Sequence, residues 1–495
     1  MDAAAPSPVA VTGTTAPEVS QAGPAVPVER EAPPVRSYRL TALIVAAAMF
    51  MEGVDGTVLS TAIPAMAHDL DVDPVHMNIA MTSYLLSLAV FIPASGKLAD
   101  RWGSRTVFRT AVVLFTAGSV LCGLAHSLSF LVFARLVQGV GGAMMVPVGR
   151  LILLRTVPKA DLISAMSWLL VPATLGPLVG PPLGGFLVTY LNWRWIFDIN
   201  VPIGLLGMVL ATLYIEQVRD EKAPRMDVLG IVLSGVSLAS LTFGLEFAVR
   251  GGEELLTAAG LLVAGVATGA AYWIHSRRHS NPVLDFRLMR VKSFAVSVLS
   301  GSAFRIAYGS LPFLLPLMLQ LGFGLSAAAS GGLTFASSVG SLVMRMTAKR
   351  ILRRWGFRRV LVVNGVLSMA MLGACAFIRP SWPPPAVYGL LLVGGYFQAL
   401  QFTAYNTIAY ADLSGRWMSG ATSFYSTFQQ LSLSLGITVS AGALAVSAAL
   451  GGRETPAVSD YSMAFLFMGV IGIASSLPPL RLRPTAGAAL SGHHP

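Results

Sequence analysis

Twice in this 495-residue chain the pattern Arg-Trp-Gly-x-Arg-x-Val sits between two long apolar runs, first at Arg101–Val107 and again 253 residues later at Arg354–Val360. A basic turn held between apolar runs is the signature of a short loop joining two membrane-spanning helices, and its return implies two related halves. Loops this short and this charged are natural contact points when one half rocks against the other. The rest of the chain must then supply spanning helices around each copy.

Composition is of that kind. With 54% hydrophobic and 12% charged residues and a mean hydropathy of +0.69, the chain has too little polar surface for an ordinary soluble fold. Its 49 glycines and 30 prolines suit closely packed, kinked helices in lipid. The expected fold class is therefore an all-α polytopic membrane protein. Residues 1–37, proline-rich and without a basic start or long apolar run, read as a disordered cytoplasmic tail and not as a signal peptide.

Apolar runs near 40–63, 77–98, 106–126, 128–152, 161–190 and 195–216 make a first six-helix bundle over 38–216, followed by a linker at 217–227. Two further runs, near 228–249 and 254–275, are each about 22 residues, enough to cross roughly 30 Å of hydrocarbon. They are expected as two inserted helices (228–275) outside the core formed by the two bundles, with Glu246 their only interior acid. A basic linker at 276–292 leads to runs near 293–321, 325–347, 360–379, 385–410, 418–448 and 461–480. These form a second six-helix bundle over 293–481, and a tail covers 482–495. The total is about fourteen spans.

Charge tests that count. With alternating sides, 28 of the 34 Lys and Arg fall on one side, the other receives Arg194, Arg250, Arg379 and Arg453, and Arg135 and Arg305 lie inside spans. The positive-inside rule then places the basic side and both termini in the cytoplasm. The net charge of +11 is thus a topology signal and gives no reason to expect nucleic acid. Cys122 and Cys375 lie far apart in separate apolar runs, so neither a disulfide nor a metal site is expected.

Five segments carry a family resemblance. Gly96–Phe108 resembles the loop between spans 2 and 3 of the major facilitator superfamily, and Arg135-Leu-Val-Gln138-Gly139 its span-4 arginine motif. Gly176–Gly185 (GPLVGPPLGG) resembles the span-5 antiporter motif. Trp193-Arg-Trp195 with Asn200-Val-Pro202 resembles the entry to span 6. Asp55-Gly-Thr57 resembles the span-1 motif, with Ser60 where the family usually has Asn. The ensemble is similar to the fourteen-span drug/proton antiporters of the EmrB/QacA type, and Gly141–Arg150 is close to multidrug members from Gram-negative bacteria. The resemblance implies a seam at Gly176, Pro177, Gly180, Pro181, Gly184 and Gly185 that seals the cavity. It also implies a conformational latch at Gly96, Asp100, Arg101, Gly103 and Arg105. A solvated loop and ordinary small-residue packing are the alternatives.

Charges inside the spans point to coupling without the family. Glu52 and Asp55 are three residues apart on one helix face, and a charged carboxylate at mid-helix costs about 2.5–3.5 kcal/mol on insertion scales. At 1.5 Å per residue Asp55 lies roughly 22 Å into its helix, and Arg135 lies at nearly the same depth in the fourth span. An arginine there would hold Asp55 ionised and release it on protonation; a fixed ion pair locking two helices is the other possibility. Arg305, also near mid-depth, is expected to pair with Glu52, to face an anionic substrate group, or to join the two halves. Tyr84, Arg305, Tyr308, Asn406, Gln429 and Gln430 are candidates for a substrate cavity.

The leading expectation is a proton-coupled multidrug efflux antiporter exporting amphipathic or cationic molecules by alternating access. A proton-coupled transporter of one metabolite is the alternative. No catalytic constellation, nucleotide loop or cofactor motif is present, so an enzyme is not expected, and energy would come from an ion gradient. The expected partners are a small-molecule substrate, protons and the bilayer. The residues say nothing of a periplasmic adaptor.

Overall fold

The computed structural model describes residues 38–157, 162–219, 226–414 and 417–491. The N-terminal tail, most of the 217–227 linker, Lys159, Arg416 and the end of the C-terminal tail lie outside the described residues. Among the described residues the secondary structure is helical throughout, without strands.

The first helices are α1 (Tyr38–Val58), the short α2 (Ile63–Asp69), α3 (Asn78–Trp102), α4 (Ser104–Gly123), α5 (Leu128–Thr156), α6 (Leu162–Tyr190), the single turn α7 (Trp195–Asp198) and α8 (Asn200–Tyr214). A hairpin follows, α9 (Val228–Arg250) and α10 (Leu255–Arg278). Then come α11 (Lys292–Gly309), α12 (Leu311–Leu317), α13 (Ala327–Arg359), α14 (Gly365–Ala374), α15 (Pro384–Ile408), α16 (Met418–Leu450), α17 (Val458–Ile473) and the terminal turn α18 (Ala488–Ser491).

Local chemistry sets the ends. Ser127 caps α5 by accepting from Phe130 N at 3.3 Å, Asp227 caps α9 through Gly230 N at 2.8 Å, and Ser326 caps α13 through Ala329 N at 3.2 Å. α3 and α4 are separated by Gly103 alone, at φ 89° and ψ 142°, a backbone that side chains other than glycine's hydrogen rarely allow. Gly356, its counterpart in the repeat, has φ 68° and ψ 162° and breaks α13 at the same point of the motif. Both copies of the repeat therefore fold into the same turn. Pro316 near the end of α12 and Pro478-Pro479 after α17 coincide with turns of altered helix, where proline removes a backbone donor.

Eleven helical stretches among the described residues are long and apolar enough to cross a membrane. One, Ala327–Phe377, is 51 residues long and contains the break at Gly356. α6 and α15 are further helices of 29 and 25 residues.

α1 packs on α6, and α5 packs on both α3 and α4. Later in the chain α13 packs on α15, α11 on α16 and α14 on α17. The most extensive contacts between these sets are α6 with α13 and α3 with α16, and α9 lies against both α3 and α16. Large apolar side chains on α10, such as Leu256, Val263 and Val266, are exposed, as expected of a surface that meets lipid.

Candidate functional site

Asp55, fully buried on α1, faces α5. Arg135 Nη1 donates to its Oδ2 at 2.7 Å, Gln138 Nε2 to Oδ1 at 2.7 Å, and Asn200 Nδ2 to Oδ1 at 3.3 Å. All three neighbours donate, so both carboxylate oxygens act as acceptors. Arg135 is 1% exposed, and its other contacts are within reach: Nη1 also donates to Gln138 Oε1 at 2.6 Å, Nε donates to Ala80 O at 3.2 Å, and the guanidinium lies 4.2 Å from the Tyr84 ring centre. Ser119 Oγ closes the network by accepting from Gln138 and Asn200. A buried ion pair is tolerated only when hydrogen bonds meet its remaining needs, and this one has them.

The depth argument brings Asp55 and Arg135 together, and the structure does the same. Gln138 and Asn200 belong to quoted motifs but carried no assigned role, and Ser119 had no signal. Glu52 is in a different position. It is absent from this network and lines a cavity of about 670 Å³, with Arg150 on the same wall.

That cavity is lined by the halves of α3, α5 and α16 nearest the basic loops, with Ser95 and Gly96 from α3, Pro147 and Arg150 from α5, Thr422, Tyr425 and Ser426 from α16, and Asn406 and Tyr410 from the end of α15 and just beyond it. Gln429 and Gln430 line it as expected. A second cavity of about 590 Å³, bounded by α6, α13 and α15, shares Asn406 and includes Arg345, whose Nη1 donates to Thr174 Oγ1 at 2.9 Å. Tyr84 and Tyr308 line neither. Tyr84 is buried beneath Arg135, and Tyr308 Oη donates to Ser368 O at 3.0 Å. Arg305 is buried too, and of the three roles expected for it the pairing with Glu52 is not the one the structure shows. Its Nη2 donates to Asn406 Oδ1 and Tyr425 Oη, both at 2.7 Å, because the aromatic wall of Phe402 and Tyr425 surrounds the guanidinium. It thereby orients two residues that do line the cavity.

On the side away from the basic loops the same elements close. Thr427 Oγ1 donates to Ala89 O at 3.2 Å and Ser434 Oγ to Thr82 O at 3.5 Å, joining α16 to α3. Gln320 Nε2 reaches Thr61 O at 3.1 Å, and Ala328 N donates to Thr189 Oγ1 at 2.9 Å. The small residues of α6 make this possible. A Cβ on Gly176 would lie 2.7 Å from Phe50 O, and one on Gly184 2.6 Å from Val58 O, so this face is pressed against α1. Pro177 abuts Gly53, Gly180 abuts Thr57, Gly185 meets Ala327 O on α13, and Gly331 of α13 meets Pro181 O in return. One helix thus contacts α1 with one set of glycines and α13 with another.

The loop motif has partners that the sequence did not reveal. Asp100 Oδ1 accepts from Arg155 Nη2 at 2.6 Å, on the last turn of α5. Gln217 closes over Gly103, donating to Trp102 O at 3.1 Å and accepting from Thr106 N at 3.2 Å. Arg101 is exposed, and Arg105 Nε is buried without a hydrogen bond. Outside the spans, Asp69 is held below the usual carboxylate range by the hydrogen bond from Arg194, with Trp193 Nε1 adding another. Asp227, His275 and His279 bring their ligand atoms within 4.8 Å of one another, a grouping that could hold a metal ion. Burial opposes the charge on Asp227, but the Gly230 N–H and His275 outweigh it and hold the carboxyl below its usual range.

Comparison with known proteins follows the same lines. Residues 45–437 match the Major Facilitator Superfamily. The chain is 39% identical over 412 residues to the protein named "Putative multidrug resistance protein MdtD" of Yersinia enterocolitica, covering 82% of this chain and 86% of that one. The protein of the same name from Serratia proteamaculans is 40% identical over 403 residues, 80% of this chain and 83% of the relative. Among solved structures, a peptide transporter POT in complex with sulfate aligns with TM-score 0.66 at 14% identity, over 91% of this chain and 95% of that one. A D-xylose-proton symporter aligns with TM-score 0.61 at 15% identity, over 90% and 98%. Two repeated loop turns, a cavity between two helical sets and these matches lead to one conclusion: the chain is a multi-pass membrane transporter, not an enzyme, and belongs to the Major Facilitator Superfamily.

Proposed function

We propose that the protein is a proton-coupled multidrug efflux antiporter of the inner membrane, exporting amphipathic or cationic molecules by alternating access. The observation that carries this is the buried Arg135–Asp55 pair beside a cavity with one acidic wall residue, Glu52. Protonating Asp55 removes the charge that Arg135 grips, and α1 bears on α6, which in turn bears on α13. A proton taken at Asp55 can therefore bias the packing that separates the two ends of the cavity. Glu52 offers an aliphatic cation a counter-charge. The relatives' name, multidrug resistance protein, is in keeping with this reading.

The topology belongs to the same proposal. Eleven apolar stretches, the division of the longest at Gly356, and the two further helices α6 and α15 bring the count to fourteen. Two six-helix halves, α1–α8 and α11–α17, then flank the α9–α10 pair, with both termini cytoplasmic. Reporter fusions at Glu221 and Ser280 should both read cytoplasmic, and an external signal at either would refute the count.

The function is tested with purified protein in liposomes carrying an internal pH dye. Amphipathic cations should drive proton movement in the opposite direction, and Asp55→Asn should abolish it. A protein that leaves proton flux unchanged for every cation, yet moves one metabolite with the proton, would be the metabolite transporter instead.

A further inference from the structure

α9 carries one acid, Glu246, and α10 none. Glu246 is 1% exposed, and its Oε2 accepts from Asn78 Nδ2 at 3.0 Å and from Thr438 Oγ1 at 3.1 Å. Asn78 opens α3 and Thr438 lies on α16, so a single carboxyl is bonded to both of the halves proposed above. Below it the same two helices meet at Ser434–Thr82 and Thr427–Ala89 before parting to line the cavity. Glu246 thus caps the seam that closes the cavity away from the basic loops.

The partners favour a protonated carboxyl. Burying an ionised carboxylate against neutral donors alone is costly. A carboxylic acid beside a primary amide, by contrast, makes a two-point pair: the amide N–H donates to one oxygen while the acid O–H donates to the amide carbonyl. Asn78 Nδ2 already supplies the first bond, and Asn78 Oδ1 is buried with no hydrogen-bond partner. No charge from the packed helices competes. α16 has no charged residue, those of α3 begin at Lys97, and α10 has no titratable group near this end, Tyr272 and His275 lying towards the other. The charges acting on Glu246 are Arg250 and Glu254, which face each other at 3.6 Å.

We propose that Glu246 is a second proton-binding site, which takes up a proton as the α3–α16 seam seals and gives it up as the seam opens. This rests on the exporter reading and gives the α9–α10 hairpin a part in it. The route to the first site is short in structural terms: the opening turns of α3 bring Asn78 to Glu246 and Ala80 and Tyr84 to Arg135.

The test uses the full chain in liposomes, spin-labelled at Asp73→Cys and Leu450→Cys, two exposed positions on the outer ends of the two halves. Cys122 and Cys375 are buried and stay unlabelled. Between about pH 5.5 and about pH 8.5 the longer-distance fraction should rise with pH, since one linked proton moves such a ratio by up to about tenfold per pH unit. Glu246→Gln keeps a two-point pair with Asn78 without titrating, so its distances should be shorter than those of the unsubstituted protein at about pH 8.5 and should change less with pH, the remaining response being that of Asp55. Should that variant fail to fold, Asn78→Ala removes the amide partner and must weaken the response. A seam that ignores pH, or variants that follow the unsubstituted protein, would overturn the proposal. Cation-driven proton flux in the same liposomes separates the two ideas: flux with a Glu246→Gln seam that follows the unsubstituted protein sinks Glu246 alone, whereas a Glu246-dependent seam without flux sinks the exporter reading.

Discussion

Arg155 Nη2 lies 2.6 Å from Asp100 Oδ1, and the two residues join the basic ends of α3 and α5 within the same set of helices. Each side chain is 27% exposed, so the pair contributes no more than about 1 kcal/mol. That is too little to lock the protein and enough to bias it. Asp100→Asn should slow transport by about fivefold or less and leave drug affinity unchanged, because the pair touches no substrate. Arg155→Ala should reproduce the effect, and the double variant should be no worse. Binding and transport curves measured together decide this; affinity that falls in step with transport rules the latch out.

Gly103 and Gly356 define a stability experiment. Their backbones, with φ of 89° and 68°, lie where an alanine costs about 1–3 kcal/mol. At Gly103 the added methyl would also collide with Gln217. Gly103→Ala and Gly356→Ala should both lower the thermal midpoint in detergent. Gly96→Ala, in mid-helix with open space beside it, should not. Equal midpoints for all three would show that the turn is not strained by a side chain.

These elements also show what a sequence of this kind reveals. A short motif flanked by apolar runs carries its turn with it, so the repeat and its glycines were readable. Depth was readable too, since helical rise is constant, and it brought Asp55 level with Arg135. Rotation about each helix axis was not. Asn200 is 145 residues from Asp55 and Arg155 is 55 from Asp100, and only packing decides which face meets which. Spaced glycines announced a close approach in α6 without naming α1 and α13 as the neighbours. Glu246 stood out as the only interior acid of its two helices, but its partners, Asn78 and Thr438, are neutral, and a search for charge pairs passes over them.

Asp227 gives a pH dependence of definite sign. Its folded carboxyl is held below its ordinary value, so the stability it contributes is present above the unfolded value of about 3.9 and is lost as pH falls through the folded one. Asp227→Ala removes the cap of α9 and the partner of His275, which should cost about 1–2 kcal/mol near neutral pH. The thermal midpoints of the variant and the unsubstituted protein should converge in acid, below the carboxylate range. A constant difference down to that pH would mean the side chain acts by packing and not by charge.

The coupling residues yield an ordered set of outcomes. Asp55→Asn keeps a similar shape and can still accept from Arg135, but it cannot exchange a proton, so drug should bind while uphill export driven by a pH gradient disappears. Arg135→Ala should be worse, because it strands a buried carboxylate and also removes the contacts to Ala80 and Tyr84; breaking such a pair costs about 3–5 kcal/mol. Glu52→Gln leaves the Asp55 network whole and changes only a cavity wall, so it should weaken binding of cationic drugs more than of neutral ones and leave coupling intact. Transport against a gradient, measured beside equilibrium binding for each variant, separates these cases. If Asp55→Asn still pumps uphill while Glu52→Gln does not, the coupling proton belongs to Glu52, and the Arg135–Asp55 pair is a fixed tie between α1 and α5.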